Sequence, residues 1–257
     1  MTTPRAGCAV DAQGRITFEV PEAHGHRLLL RLRPKKGQPE ETLHVLDLDP
    51  GDEGHARAVL GADPVLAEGR WDVYLLQDSE RTRLRPGPRD LRALVGGHLR
   101  ERPGPLAVRV PYVTKDGYLA VRTWMRPAHA EADRVDVTDR GLTVTARLHG
   151  APPLEDAEVR LRLRRGAGVV RTLRPTASQD GRGFSFTVDD EDLDIGIWDM
   201  FVRPAPGSPQ IRIARLLDDV ADRKAVFVYP GTTLGSAVVR PYFTVDNDLS
   251  LEVTRAG

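Results

Sequence analysis

Four short blocks recur in the same order in the two halves of this chain, and that recurrence limits the possible folds more than any other feature. Gly69-Arg70-Trp71-Asp72 returns as Gly196-Ile197-Trp198-Asp199, 127 residues on. Pro111-Tyr112-Val113-Thr114 returns as Pro241-Tyr242-Phe243-Thr244, 130 residues on. Upstream, Leu28-Leu29-Leu30-Arg31-Leu32-Arg33 parallels Val159-Arg160-Leu161-Arg162-Leu163-Arg164, and Ile16-Thr17-Phe18 parallels Leu142-Thr143-Val144. A duplicated unit follows, with a small insertion or deletion between anchors.

Each repeat reads as β-structure. Residues 142–146, 159–164 and 184–188 alternate apolar with polar, the period of a strand that buries one face and wets the other. Asp116-Gly117 and Asp246-Asn247 are turn signals of type I′ character. They predict closing hairpins that join 111–114 to 119–124 and 241–244 to 249–253. Helical signals are confined to 89–95 and 216–221, enough for a turn or two each. Regular short strands separated by Gly and Pro predict an all-β chain of two tandem immunoglobulin-like β-sandwiches. The expected domains are 1–126 and 134–257. Residues 125–133 lack β-branched side chains and carry Pro127, so they are expected to form the linker.

At 257 residues the chain has room for two cores, and its 40% hydrophobic content is that of a globular protein. Its 37 basic and 37 acidic residues balance, which argues against a dedicated nucleic-acid binder. Only Lys35, Lys36, Lys115 and Lys224 are lysine; the other basic residues are arginine. That bias matches high-GC coding rather than any mechanism. A lone Cys8, near a flexible start, excludes an internal disulfide and fits a reducing cytoplasm. The first residues hold no apolar signal core, and no apolar run approaches a membrane span. A cytoplasmic chain without direct membrane insertion is expected.

Several features invite a chemical reading. The repeated tryptophans could stack on a sugar ring, or anchor a core, with Asp72 and Asp199 bonding a nearby turn; the weight of aromatics in sandwich cores favours the anchor. Tyr112 and Tyr242 read as packing residues too. Arg31 and Arg33 share one strand face, as do Arg160, Arg162 and Arg164. With the leucines and valine turned to the core, two cationic rows should face outward, suited to phosphates because guanidinium pairs with them bidentately. The bland alternative is a solvated face with acidic neighbours. The run Asp189-Asp190-Glu191-Asp192 lacks the ordered spacing of a calcium loop, and Asp63 is all that its counterpart keeps. His24-Gly25-His26 offers two imidazoles without a third ligand, and His44, His55, His98, His129 and His149 are scattered. No nucleophile elbow, phosphate-binding glycine loop, metal motif or cofactor site is legible.

The order strand, Gly-x-Trp-Asp, Arg-rich hairpin, Pro-Tyr-x-Thr and closing hairpin resembles the immunoglobulin-like accessory domains attached to actinobacterial cell-wall glycosyltransferases and teichoic-acid-type polymer transferases. Such domains often sit in tandem beside a catalytic domain, and these residues contain no catalytic domain. The resemblance implies a non-catalytic binding or assembly module. Its partner would be a glycan, an anionic glycopolymer or a transferase; the strand alternation, apart from the resemblance, makes Arg31, Arg33, Arg160, Arg162 and Arg164 the expected ligand-binding residues. A structural oligomerisation unit, or a glycosyl- or polyol-phosphate transferase with a scattered site, is the alternative.

Overall fold

A computed structural model describes residues 3–23, 26–34, 42–51, 54–61, 65–96, 99, 104–138, 141–165, 168–189 and 193–256. The chain divides into two compact units: Met1–Glu101 with Ala107–Met125 and Leu217–Ala221, and Arg126–Leu216 with Arg102–Leu106 and Asp222–Gly257. The alternating segments form strands in both.

The first unit holds β1 (Arg5–Val10), β2 (Ile16–Pro21), β3 (Arg27–Leu32), β4 (Leu43–Asp47), β5 (Asp49–Pro50), β6 (His55–Leu60), β7 (Gly69–Gln77), β8 (Glu80–Arg83) and β9 (Arg85–Asp90). The hairpin β10 (Leu106–Val113) and β11 (Leu119–Arg126) follows. One sheet runs β5-β6-β2-β1-β9; the other runs β10-β11-β7-β3-β4, with β8 also on β7. Strands one, two, five and six in one layer, with three, four, seven and eight in the other, make an immunoglobulin-like sandwich. Ile16, Phe18, Ala58 and Leu60 of one layer and Leu28, Leu30, Trp71, Val73 and Val121 of the other are buried.

The second unit repeats the plan with β12 (His129–Thr138), β13 (Gly141–His149), β14 (Glu158–Leu163), β15 (Val170–Leu173), β16 (Thr176–Ala177), β17 (Gly183–Val188), β18 (Gly196–Arg203) and β19 (Ile211–Ala214). It ends with β20 (Thr232–Leu234), β21 (Ala237–Phe243) and β22 (Leu249–Arg255). Here β19 pairs parallel with β12 and antiparallel with β18, so one strand does what β9 and β8 do separately in the first unit. Val144, Phe184 and Phe186 of one layer pack in a single core with Leu161, Trp198 and Leu251 of the other.

The repeat holds at the level of register. Trp71 is paired with Leu32 and Val121, and Trp198 with Leu163 and Leu251. Both rings are core anchors, 1% and 0% exposed. Trp71 Nε1 donates to the Ala67 carbonyl at 3.0 Å and Trp198 Nε1 to the Asp194 carbonyl at 2.8 Å. The tryptophans are therefore not exposed sugar platforms.

Four expectations need correction. The stretch 125–133 is not an irregular linker: β11 runs to Arg126 and β12 opens at His129. Pro127 falls in the turn, where it interrupts no ladder. Ala130 and Ala132 are small enough to bury beside the parallel strand, Ala130 opposite Ile213. The hairpin turns are not type I′, which needs positive φ at both central residues. Only Gly117 (φ 79°) and Asn247 (φ 63°) are left-handed. Gly117 N–H donates to the Thr114 carbonyl at 2.9 Å and Thr114 N–H to the Tyr118 carbonyl at 2.8 Å, a type I turn closed by one left-handed residue. Residues 216–221 form no helix, and the 89–95 signal yields only Arg92–Val95. Cys8 is not in a flexible segment; it is buried in β1, where burial pushes its thiol up to about 11.

Candidate arginine face and its neighbouring cleft

Alternation along β3 and β7 turns Arg31, Asp72 and Tyr74 to the outer face of their sheet, Arg31 directly opposite Asp72 and Tyr74 opposite Arg83. Arg33 lies one step beyond the end of β3. It grips Asp72 with Nε at 3.0 Å and Nη2 at 2.7 Å, while Arg83 Nη2 reaches the same carboxylate at 2.9 Å. Hydrogen bonding to Asp72 holds the Arg33 guanidinium above its usual range. The Arg31 guanidinium lies 5.6 Å over the Tyr74 ring, and Arg83 and Arg85 lie 4.2 and 4.8 Å over Tyr118. These distances suit cation–π attraction. Tyr112 is half-buried, and burial raises its phenol.

The second unit builds the same cluster from equivalent residues. Arg164 grips Asp199 with Nε at 3.0 Å and Nη2 at 2.7 Å, and Arg212 Nη2 adds a contact at 2.7 Å. Ser250 Oγ donates to Asp199 at 3.0 Å, where the first unit has Ala120. Burial works against the Asp199 carboxylate, but Arg164, Arg212 and Ser250 together hold it below the usual range. Arg212 is itself lowered, chiefly by burial. Arg162 and Arg212 lie 4.8 and 4.9 Å from the Phe201 ring centre, and Phe201 stands where Tyr74 does. Arg160 is half-buried and Arg162 exposed, both on this face.

All five arginines singled out in the sequence thus lie on outer sheet faces, one set per unit. They are not bare rows. Arg33 and Arg164 are held by the aspartates of the Gly-x-Trp-Asp blocks, which bind arginines across strands rather than a local turn. Each cluster sets two guanidinium groups on one carboxylate, and in the first unit Arg33 and Arg83 outnumber Asp72. Such a surface supplies fixed N–H donors to an anionic oxygen. In the second unit Asp248 adds a balancing carboxylate, 3.7 Å from Arg212 and raised by burial.

On the same face of the second unit, strand register lines up Ile197, Glu252 and Arg240 side by side. The next row holds Arg162, Asp199, Ser250 and Tyr242. Arg240 and Glu252 form an ion pair, its Nε–Oε2 separation 3.0 Å. A cleft of about 260 Å³ opens over the first row, lined by Ile197, Tyr229, Arg240, Tyr242 and Glu252 among others. Arg164 Nη1 lies 3.5 Å from the Tyr242 hydroxyl, so the cleft adjoins the arginine cluster.

Sequence reading missed a further polar group. His129 and His149, scattered in sequence, are directly opposed in the β12–β13 ladder with rings 6.1 Å apart. His129 Nε2 lies 2.7 Å from Glu131 Oε2, which also accepts the Leu216 N–H at 2.7 Å. All three side chains are buried. Burial, then His129, pushes the His149 imidazole down to about 4. The signal was present only as two histidines at opposite ends of a hairpin. His24, Gly25 and most of the acidic run, residues 190–192, lie outside the described residues, as do Asp63 and His98. Among the described residues, no group of three His, Cys, Asp or Glu side chains is placed to hold a metal, and no helix is long and apolar enough to cross a membrane.

No family profile matches this chain, and no curated protein does. Among solved structures it is similar to S. aureus TarS residues 217–571, at 12% identity and a TM-score of 0.33, over 75% of this chain and 57% of that one. It is similar also to a longer S. aureus TarS structure, at 12% identity and 0.33, over 80% of this chain and 38% of that one. A tetra-tandem repeat from the extending region of a large adhesion protein aligns over 99% of this chain and 63% of its own, at 11% identity and 0.22. The chain thus spans about half the length of the TarS structures or less. Likenesses this loose extend to no statement about function.

Proposed function

We propose that this chain is a non-catalytic binding module that holds an anionic polymer, of the polyol-phosphate or charged-glycan kind, on the arginine faces of its two sandwiches. The observation that carries the reading is the duplicated cluster: Arg33-Asp72-Arg83 in one unit and Arg164-Asp199-Arg212 in the other. Each carries another arginine over an aromatic ring. The aspartate holds its two arginines in fixed geometry, so less side-chain freedom is lost when a ligand oxygen arrives. Two such sites on one chain would engage a repeating anion with avidity that neither has alone. The resemblance to accessory domains of cell-wall polymer transferases points to the same ligand class, and a cytoplasmic setting beside such a transferase is part of the proposal.

The test is binding of a purified polyol-phosphate polymer to the whole chain from 50 to 300 mM salt. Affinity should fall about tenfold or more as exposed charges are screened. Arg31→Ser with Arg162→Ser, outside the aspartate clusters, should weaken binding while leaving the thermal midpoint within about 2 °C. The Arg160→Ser, Arg162→Ser, Arg164→Ser triple variant should weaken it further. Salt-independent binding, or unchanged binding in both variants, would remove the reading.

A further inference from the structure

We infer that the second unit, and not the first, carries a subsite for one neutral sugar ring, formed by the cleft beside Tyr242. The inference rests on the polymer reading above and refines it: the arginine cluster takes the charged backbone, and the cleft takes an uncharged sugar attached to it. Four observations converge. The first is size. At about 260 Å³ the cleft lies below the usual range for a drug-sized ligand, roughly 300–1,000 Å³, and suits a single ring.

The second is surface chemistry. Phe227, Tyr229, Tyr242 and Ile197 all line the cleft, with Phe227 backed by Phe243 of the core. Aromatic rings with a polar edge favour a ligand that is apolar on one face and hydroxylated around its rim. The third is charge. Lys224 and Arg240 line the cleft with Glu252, and the Arg240–Glu252 ion pair presents donors and an acceptor together. A carboxylate acceptor disfavours an anion, and two cations disfavour an ammonium group. A purely apolar occupant would strip water from that ion pair without replacing its hydrogen bonds, which is costly. Hydroxyl groups, which donate and accept, satisfy both partners.

The fourth is the contrast between repeats. In the first unit Arg70 stands where Ile197 does, and Arg122 stands where Glu252 does, because Arg70 and Arg122 are paired in the β7–β11 ladder as Ile197 and Glu252 are in the β18–β22 ladder. The first unit therefore lacks both the apolar lining residue and the acidic acceptor. The location is apt as well. Arg164, in the cluster that would hold the charged backbone, lies 3.5 Å from the Tyr242 hydroxyl.

The experiment titrates the isotope-labelled whole chain with methyl α-glucoside and methyl N-acetyl-β-glucosaminide to 50 mM or so, following amide shifts, and measures the bare polyol-phosphate polymer in parallel. Saturable shifts at 197, 224–229, 240, 242 and 252, unchanged between 50 and 300 mM salt, are the expected result. Ile197→Arg, which copies the first repeat and fills the cleft, should weaken sugar binding at least about fivefold without moving the thermal midpoint, while the added cation leaves the affinity for bare polymer equal or higher. Tyr242→Ala should also weaken sugar binding. An absence of localised shifts, or shifts indifferent to Ile197→Arg, would overturn the subsite whatever the polymer does. Sugar binding without polymer binding would sink the arginine reading and leave the cleft standing.

Discussion

Asp199 shows how one carboxylate organises a surface. Its two guanidinium partners and the Ser250 hydroxyl outweigh its burial, and in return it neutralises Arg212, whose side chain is only 17% exposed. Asp199→Ala leaves that cation with Asp248, 3.7 Å away, as its carboxylate and removes its closest partner, which should cost about 1–3 kcal/mol. Urea denaturation should show that loss, and a loss under about 0.5 kcal/mol would mean that water already solvates Arg212. Trp71→Ala and Trp198→Ala each remove a ring from a closed core and should cost about 3–5 kcal/mol. His149 supplies a pH dependence. Its imidazole stays neutral in the fold down to about 4, whereas the unfolded chain takes up the proton near the ordinary 6.5. The unfolded state therefore binds more protons between those values. Stability is full above about pH 6.5 and declines as the pH falls toward 4, by about 1–3 kcal/mol. Denaturation midpoints at pH 7.5 and 5.0 should differ in the wild type and differ less in His149→Gln.

Among the elements, the two closing hairpins are where local chemistry and packing meet. Asn247 takes the left-handed position that Gly117 fills in the first repeat, and it is wholly buried. Its Oδ1 accepts the Arg223 N–H at 3.1 Å, and its carbonyl accepts the Arg215 N–H at the same distance. Asparagine tolerates that backbone and earns its place through the side chain. Asn247→Gly should thus destabilise by about 1–2 kcal/mol despite relieving backbone strain, because the Arg223 N–H loses its acceptor. Equal stability in a chemical melt would show that water replaces the amide. The turn between β11 and β12 rests on another tight contact. A Cβ on Gly150 (φ 62°) would stand 2.4 Å from the Pro127 carbonyl oxygen. Only glycine at 150 lets the two backbones come this close.

Across the whole molecule, the chain divides into two compact units that repeat one plan, and damage to one core is expected to leave the other folded. In Trp71→Ala, hydrogen exchange should quicken through β2, β3, β7 and β11 while β13, β14, β18 and β22 keep their protection. Trp198→Ala should give the converse pattern. Uniform loss of protection in either variant would show that the units unfold as one.

The alternating strands, the duplication and the two closing hairpins were legible in the chain, because each is set by local periodicity, whereas the start of β12, hidden in a linker-like composition, and the type of the closing turns were not. So was the outward aim of Arg31, Arg33, Arg160, Arg162 and Arg164, which follows once the neighbouring leucines are assigned to the core. What those arginines meet was decided only by tertiary structure. Arg33 reaches Asp72 across 39 positions and Arg164 reaches Asp199 across 35, through a register that no local pattern encodes. The same holds for His129 beside His149, and for Ile197, Glu252 and Arg240 lined up from three strands. Side chains on one strand announce which way they face. Which charge or ring waits on the next strand depends on how the sheet is ordered, and that order belongs to the packed fold.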